Sequence, residues 1–485
     1  MIVNTGDAQA ESDGNSRLCE LTLRKEALER EIAVDLGMTG LQNAPGLDSF
    51  AYALDSQTAV MMIVQTAVLL EIREREVVWS PRYEAFIAKM NAEGATQVHR
   101  ASLGDVQVVD DAILNWRTSI NARRGYNATR SEKKLSRAPQ NIIRKVVLGP
   151  VDDLLQGISR LFVLPDGAFH GVPWSAIPGR MSRYLFEEIE VIVVNDVSQL
   201  SATIQSIDTP VIVHSESLLA VVSDVDFGAA RPLGQGDSCR GSFYPLPHTG
   251  PEGELICSLF PALSEHIQGL AAKKNKVMAL IERAEFCHFA THAFCAVADS
   301  ALDPVRRVEE RNPFFLNTSA YQHVRRFTGR NLMAWSGIAL AGAAFSQKVF
   351  EEAFNCSGYH GVLTAEEITS LALHRVRLVV LSACDTSLGK VVKSEGPFSL
   401  VRAFRQAGVP CVVATLWQIS DAQTPKFMGD FYKQMWRGGL SISQAMQRTL
   451  LTNAYTLGKE EFIAENTWGT ATVPPLYWAG FSIFG

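Results

Sequence analysis

Two reactive side chains end apolar segments in the second half of the chain. His292 ends the segment EFCHFATH, and Cys384 ends the segment RLVVLSAC. A thiol is a strong nucleophile only when it is ionised, and a nearby imidazole both takes its proton and protonates a leaving amine. If the two segments are neighbouring parallel strands, their carboxyl ends meet at one sheet edge, about 4.8 Å apart. The pattern therefore predicts a thiol–imidazole pair suited to acyl transfer.

Each of these residues also has an ordinary structural interpretation. A cysteine on an apolar strand is usually a small core residue, and a histidine there is usually a hydrogen-bonded structural one. Cys287 and Cys295 flank the histidine, and Cys411 opens another strand, whereas Cys384 stands at a strand exit followed by the polar turn DTSLGK. This context favours Cys384 as the nucleophile. The backbone N–H groups of Ala293 and Cys384 are the predicted donors to the oxyanion that forms on a substrate carbonyl.

The composition indicates a globular chain, and the length predicts about two to four domains. The 485 residues are 47% hydrophobic and 20% charged, with a net charge of −6, so neither nucleic acid nor an anionic membrane is expected as the main partner. Eight cysteines without CxxC spacing, and no signal peptide at the N-terminus, predict reduced thiols and a cytoplasmic location. Phosphate-loop, zinc-protease and serine-hydrolase motifs are absent from the sequence.

The first part of the chain, residues 1–138, is predicted to be a helical N-terminal region. Apolar residues recur there at three- and four-residue spacing as far as about Asn121. The most apolar stretch, Ala59–Leu70, is shorter than the roughly 20 residues that span a bilayer, and a buried helix is predicted. The basic stretch Asn121–Pro139 is predicted to be a linker or exposed loop.

After Asn141 short apolar runs alternate with helical segments, which predicts an α/β fold. Most of these runs are continuously apolar, as in parallel strands covered on both faces. The predicted strands are residues 160–166, 191–194, 218–224, 285–292, 337–343, 377–384 and 411–417. The charged segment from about Asp299 to Arg330 is predicted to be an insertion.

A series of motifs in this region resembles the CHAT domain family, which is grouped with caspases and separase. The motifs are LFVLPDGAFHGVPWSAIP, LPHTGPEGELICSLFP, FCHFATHA, SGIALAGA, LTAEEITSL, RLVVLSACDTSLGKVVKSEGPFSLVRAFRQAGVPCVVATLWQISD and PPLYWAGFSIFG. The resemblance implies a peptidase domain over residues 139–485 with a caspase-like three-layer sandwich, a mostly parallel sheet flanked by helices. It also implies a Cys-His dyad at Cys384 and His292, with no metal or organic cofactor.

The resemblance implies a cysteine endopeptidase that acts on specific protein substrates through a thioester acyl-enzyme. Bacterial defence or regulated cell death is the expected setting, and a regulatory protein contacting the N-terminal helices is an expected partner. A substrate pocket wall is expected at Asp385, Trp417 and Asp421, because LWQISD follows the strand after that of Cys384.

The sequence departs from the family where Ala293 and Phe294 follow the histidine, since glycine is usual directly after it. If that position required a positive φ, alanine would cost about 1 kcal/mol and tilt the donor. This departure supports an alternative hypothesis, a catalytically silent scaffold that binds partner proteins. A hydrolase of a thioester or small-molecule amide is a third alternative.

Overall fold

The structure is a computed structural model. It describes residues 54–73, 76–121, 137–180, 183–194, 200–228, 243, 245–295, 333, 336–343, 361–382, 396–417, 422–455, 464–465 and 471–485. The basic linker (apart from Asn121 and residues 137–139) and the predicted insertion at 299–330 lie outside these residues. Within them, no helix combines the length and the apolar character needed to cross a membrane.

A central sheet of eleven strands organises the described residues. The strands are β1 (Thr58–Arg73), β2 (Glu76–Met90), β3 (Thr96–Asp105), β4 (Arg160–Leu164), β5 (Glu190–Val193), β6 (Leu218–Val225), β7 (Leu263–Gly269), β8 (Phe286–Phe289), β12 (Leu378–Leu381), β13 (Val412–Thr415) and β16 (Phe481–Phe484). Their order in the sheet is β3-β2-β1-β4-β5-β16-β13-β12-β8-β6-β7. A second, antiparallel sheet contains β9 (Ala293–Cys295), β10 (Ser336–Ala339) and β11 (Val362–Thr364), in the order β11-β10-β9. The short strands β14 (Ala464–Glu465) and β15 (Ala471–Thr472) pair with each other.

Nine α-helices of the described residues accompany these strands. They are α1 (Val106–Asn121), α2 (Arg137–Val147), α3 (Leu200–Asp208), α4 (Thr249–Leu259), α5 (Lys274–Ile281), α6 (Ala365–Thr369), α7 (Gly396–Gln406), α8 (Thr424–Tyr432) and α9 (Ile442–Tyr455). Each residue of β8, β12 and β13 is buried, and because side chains alternate along a strand, both sheet faces are covered there. The predicted α/β class, a mostly parallel sheet flanked by helices, is confirmed.

Nine of the eleven strands of the central sheet form two parallel blocks. Strands β13, β12, β8, β6 and β7 run parallel to one another, and so do β16, β5, β4 and β1. The blocks meet at the antiparallel pair of β13 and β16, where Val412 lies opposite Phe484. The first block contains the strands that precede both His292 and Cys384 in the sequence.

The helical prediction for residues 58–105 is wrong, because this stretch forms β1, β2 and β3. Strand β1 pairs antiparallel with β2 and parallel with β4, so these strands extend the central sheet. Seven of its sixteen residues are β-branched, which favours a strand. A continuously apolar run has no period that separates a buried helix from a buried strand. The predicted helix that follows, α1, is confirmed.

The predicted strand at residues 337–343 exists but is not part of the central sheet. It is β10, which pairs antiparallel with both β9 and β11. The structure also contains two central strands without a prediction, the edge strand β7 and the closing strand β16. Strand β7 is only partly buried, so its sequence LSEHIQG lacks the apolar run that marks the inner strands.

Candidate functional site

The two segments that carry the candidate residues are adjacent parallel strands. In the register of β8 and β12, Leu378 lies opposite Phe286 and Leu381 lies opposite Phe289. His292 follows Phe289 by three residues, and Cys384 follows Leu381 by three residues. Cys384 itself lies outside the described residues, so its side chain has no described position. The predicted adjacency of the two strands is confirmed.

His292 is enclosed by aromatic side chains at the carboxyl end of β8. Its ring centroid lies 5.1 Å from that of Phe227 and 5.4 Å from that of Phe243, and the residue is only 4% exposed. Its carbonyl oxygen accepts a 2.8 Å hydrogen bond from the N–H of Ala339, and the preceding Thr291 hydroxyl donates to the Ala339 carbonyl, also at 2.8 Å. These contacts fix the backbone of His292 against β10.

Ala293 continues this anchoring as the first residue of β9. It is paired with Ile338 of β10 and is buried. Among the described non-glycine residues, Asp224 alone has a positive φ, of 46°. Ala293 therefore has an ordinary extended backbone, and the strain considered for an alanine at this position is absent. Its assignment as an oxyanion donor stays a prediction, as does that of Cys384.

A buried polar network lies directly behind the two strand ends. The Oε1 atom of Glu252, on α4, accepts a 2.7 Å hydrogen bond from the Ser382 hydroxyl and lies 3.0 Å from Nε2 of His288. The other ring nitrogen of His288, Nδ1, lies 3.0 Å from the hydroxyl of Tyr432. Glu252 is 1% exposed and His288 is completely buried. One carboxylate oxygen therefore contacts both β8 and the residue directly after β12.

Burial shifts the pKa of two side chains in and beside this network, Tyr432 and His266. Burial raises the pKa of Tyr432 well above its ordinary value, and the nearby Glu252 carboxylate raises it further. Burial also lowers the pKa of His266, which lies 2.7 Å from the Ser223 hydroxyl beside α4. The Tyr432 hydroxyl is thus neutral at neutral pH, and it shares a hydrogen bond with Nδ1 of His288.

The cysteine side chains that the structure describes are poor nucleophiles. Burial raises the pKa of the Cys287 thiol strongly and that of the Cys411 thiol to about 12. Burial also raises the pKa of Cys257. All three thiols are protonated at neutral pH, as expected of structural cysteines.

The predicted substrate pocket is only partly within the described residues. Asp385 and Asp421 lie outside them. Trp417 is 2% exposed, and its indole N–H donates a 3.2 Å hydrogen bond to the carbonyl of Leu476. Trp417 therefore packs within the core and presents little surface to solvent. Its role in a pocket stays a prediction.

Asp166, which follows β4, caps the turn that begins at Gly167. Its carboxylate accepts hydrogen bonds from the N–H groups of Gly167 and Gln65, at 2.7 and 2.8 Å. Across the part of the chain that the structure describes, no three His, Cys, Asp or Glu side chains group in a way that could hold a metal ion.

Sequence reasoning did not single out Glu252, His288, Ser382 or Tyr432. A signal for Glu252 does exist, because the buried residues Ile256 and Leu259 follow it at helical spacing, which places an acid on the apolar face of α4. Acids on such faces are rarely buried without a partner. Ser382 and His288 carry no comparable signal, since each stands alone in an apolar segment.

Comparisons with known proteins agree with the motif series. The family model described as CHAT domain matches residues 137–485. Tetratricopeptide repeat protein 28 of Homo sapiens is 24% identical over 371 residues, which is 73% of this chain and 13% of that protein. The Mus musculus protein of the same name is 25% identical over 370 residues, which is 73% of this chain and 14% of that protein. The chain thus spans about a seventh of the length of these relatives.

Among solved structures, the Saccharomyces cerevisiae separase–securin complex is similar. The crystal structure at 3.0 Å resolution gives a TM-score of 0.48 at 10% identity, over 90% of this chain and 30% of that chain. The one at 2.6 Å gives 0.46 at 9% identity over the same shares. The family model covers well over half of the residues. The chain belongs to the CHAT domain family.

Proposed function

We propose that the chain is a cysteine endopeptidase in which Cys384 is the nucleophile and His292 is its base. The observation that carries this proposal is the register of β8 and β12. Leu381 lies opposite Phe289, and each candidate residue follows its strand by the same number of residues. Equal extension from paired positions on neighbouring strands supports a thiol and an imidazole within reach of each other.

In the proposed reaction, the thiol proton of Cys384 passes to His292, and the thiolate attacks the carbonyl carbon of a peptide bond. The resulting oxyanion accepts hydrogen bonds from the backbone N–H groups of Ala293 and Cys384. The carbon–nitrogen bond breaks as His292 gives its proton to the leaving amine, which leaves a thioester. Water then attacks the thioester with His292 as base, and a carboxylate and the free thiol are formed.

The properties of the other described cysteines support the choice of Cys384 as the nucleophile. Cys287, Cys411 and Cys257 all have raised pKa values, so none of them is activated. Cys287 lies within β8, on the same strand that leads to His292, and it is buried in the core. An activated thiol therefore has to be sought elsewhere in the chain.

The experiment uses a panel of N-acetylated tripeptidyl acyloxymethyl ketones that differ in the residue preceding the ketone. We expect one adduct per chain, located at Cys384 by peptide mass mapping and lost in Cys384→Ala. His292→Ala should slow adduct formation by roughly 100-fold or more. The matched controls Cys257→Ala and His99→Ala should react like the wild-type chain. Equal rates in His292→Ala and His99→Ala would contradict the assignment.

The family resemblance extends this proposal to a biological setting. We propose one or a few protein substrates, cleaved in a defence or regulated cell-death response in the cytoplasm. A regulatory protein is proposed to contact the N-terminal region that precedes α2, and neither nucleic acid nor a membrane is proposed as a partner. Asp385, Trp417 and Asp421 remain the proposed pocket residues.

One observation favours a second candidate function, a silent scaffold. His292 is only 4% exposed between Phe227 and Phe243, which is little access for a base that must serve a substrate. Iodoacetamide distinguishes the two functions. Preferential alkylation of Cys384 over the other seven cysteines supports the enzyme, whereas alkylation of Cys384 no faster than that of the partly buried Cys257 supports the scaffold.

A further inference from the structure

We propose that Glu252 is a positioning residue whose carboxylate holds the carboxyl ends of β8 and β12 in the mutual placement that the dyad requires. The inference rests on the proposed function, since it concerns the same pair of residues. It assigns a role to a side chain outside the dyad, on helix α4.

A single carboxylate oxygen of Glu252 forms the bridge between the two strands. Oε1 of Glu252 contacts Ser382, two residues before Cys384, and His288, four residues before His292. Any sliding of β12 relative to β8 changes at least one of these distances. The carboxylate therefore couples the two strands at the end where the dyad residues follow.

His288 is itself fixed at both ring nitrogens. Nε2 contacts Glu252 and Nδ1 contacts the hydroxyl of Tyr432, whose ring is stacked on Trp436 with centroids 4.2 Å apart. An imidazole held at both nitrogens cannot rotate without breaking a buried hydrogen bond. The bridge thus has a rigid support on the β8 side.

Helix α4 is held equally firmly against β6. A Cβ on Gly253 would lie 2.5 Å from both the Ser223 hydroxyl and Nε2 of His266, so only glycine permits this close approach. The Thr249 hydroxyl accepts a 3.0 Å hydrogen bond from the N–H of Asp224 at the end of β6. The first turn of α4, which carries Glu252, is therefore fixed relative to the sheet.

A purely structural role does not require this arrangement. Burying a carboxylate is costly, and apolar side chains of similar size commonly stabilise a core equally well. The first turn of a helix offsets part of the cost, because backbone N–H groups there favour negative charge. A buried acid that bridges the two strands of the proposed dyad is more simply explained by precise placement than by stability.

The test compares Glu252→Leu, which removes both hydrogen bonds at similar volume, with Glu252→Gln, which keeps an acceptor oxygen at Oε1. The readout is the reaction of Cys384 with a peptidyl acyloxymethyl ketone, separated into a binding constant and a maximal rate. We expect Glu252→Leu to lower the maximal rate at least about tenfold with little change in binding, and Glu252→Gln to retain most of the rate. Ser382→Ala, which removes one hydrogen bond, provides the milder variant if Glu252→Leu does not fold.

The control is Tyr83→Phe, which removes a buried 2.8 Å hydrogen bond to Asp110 far along the sheet. It should lower stability without changing the maximal rate. Wild-type rates in both Glu252→Leu and Ser382→Ala, or losses of rate no greater than in Tyr83→Phe, would overturn the inference.

If the wild-type chain forms no adduct at Cys384, the proposed function fails, and hydrogen exchange of the backbone amides then tests the inference. Faster exchange in Ser382→Ala, confined to the ends of β8 and β12, supports positioning, and unchanged exchange there overturns it.

Discussion

Ala293 of β9 lies directly opposite Ile338 of β10, and this pairing gives Ala293 the extended backbone of an ordinary strand residue. The histidine before it is held by the same strand, because the N–H of Ala339 donates to the His292 carbonyl. Glycine is therefore not required at position 293 for conformational reasons. A side chain at this position also packs into the core, where Ala293 is 6% exposed.

The substitution Ala293→Gly should therefore destabilise the protein and should not increase its reactivity. A strand glycine loses more conformational freedom on folding, at a cost of about 0.5–1 kcal/mol, and it also removes a buried methyl group. Urea denaturation measures the loss, and the rate of ketone adduct formation measures reactivity. A clear rate increase would mean that the alanine does tilt the oxyanion donor.

Cys287 and Cys411 should resist alkylation in the native protein. Burial raises the pKa of both thiols, so the reactive thiolate is scarce even at about pH 8, close to the ordinary thiol pKa. Treatment with iodoacetamide followed by peptide mass mapping should find both unmodified. The same treatment in concentrated guanidinium chloride should modify them, which shows that burial is the cause. Native-state labelling at either position before Cys384 would contradict this.

Tyr432→Phe should lower the free energy of unfolding by about 1–3 kcal/mol. The change leaves Nδ1 of His288 buried without its hydroxyl partner, while the ring can still stack on Trp436. Chemical denaturation of the variant measures the loss. Tyr455→Phe is the control, because its hydroxyl contacts Glu187 at a half-buried site and its removal should cost less. Equal losses in the two variants would argue against a tightly held His288.

Gly253→Ala should destabilise the protein by about 1–3 kcal/mol, because the new methyl group overlaps the Ser223 hydroxyl and the His266 ring. The matched control is Gly149→Ala, where a Cβ would meet no atom nearer than 4.0 Å. Thermal unfolding of the two variants gives the comparison. A Gly253→Ala variant as stable as Gly149→Ala would show that α4 is free to move away from β6.

Acidification should destabilise the fold through His266. Burial lowers the folded-state pKa of His266 below its ordinary value of 6.5. Glu254 and Asp224 raise this pKa, and His288 lowers it. Between the folded-state value and 6.5 the unfolded chain binds more protons, so stability is fully present above 6.5 and declines as the pH falls below it. Urea denaturation across this range should show a smaller decline for His266→Gln. A steeper decline in the variant would contradict a lowered folded-state pKa for His266.

The sequence alone determined the fold class and the strands of the site, because buried parallel strands are short continuous apolar runs bounded by turn residues. It also determined the family, through motifs kept in order from β4 to the last strand, and it pointed to His292 and Cys384 at strand exits. The sequence did not predict the three strands at residues 58–105. A long apolar run satisfies a helix or a strand equally well, and the pairing of β1 with β4, which joins Ala59 to the distant Leu161, decided the outcome.

Only the tertiary structure decided what lies behind the site. Glu252, His288, Ser382 and Tyr432 come from four separate segments, and no local pattern relates a glutamate on α4 to a serine 130 residues later. Their hydrogen bonds exist because α4 packs against β6 and α8 packs against α4, beside the ends of β8 and β12. Burial then makes each of these polar groups depend on the others, since all four side chains are less than a tenth exposed to water.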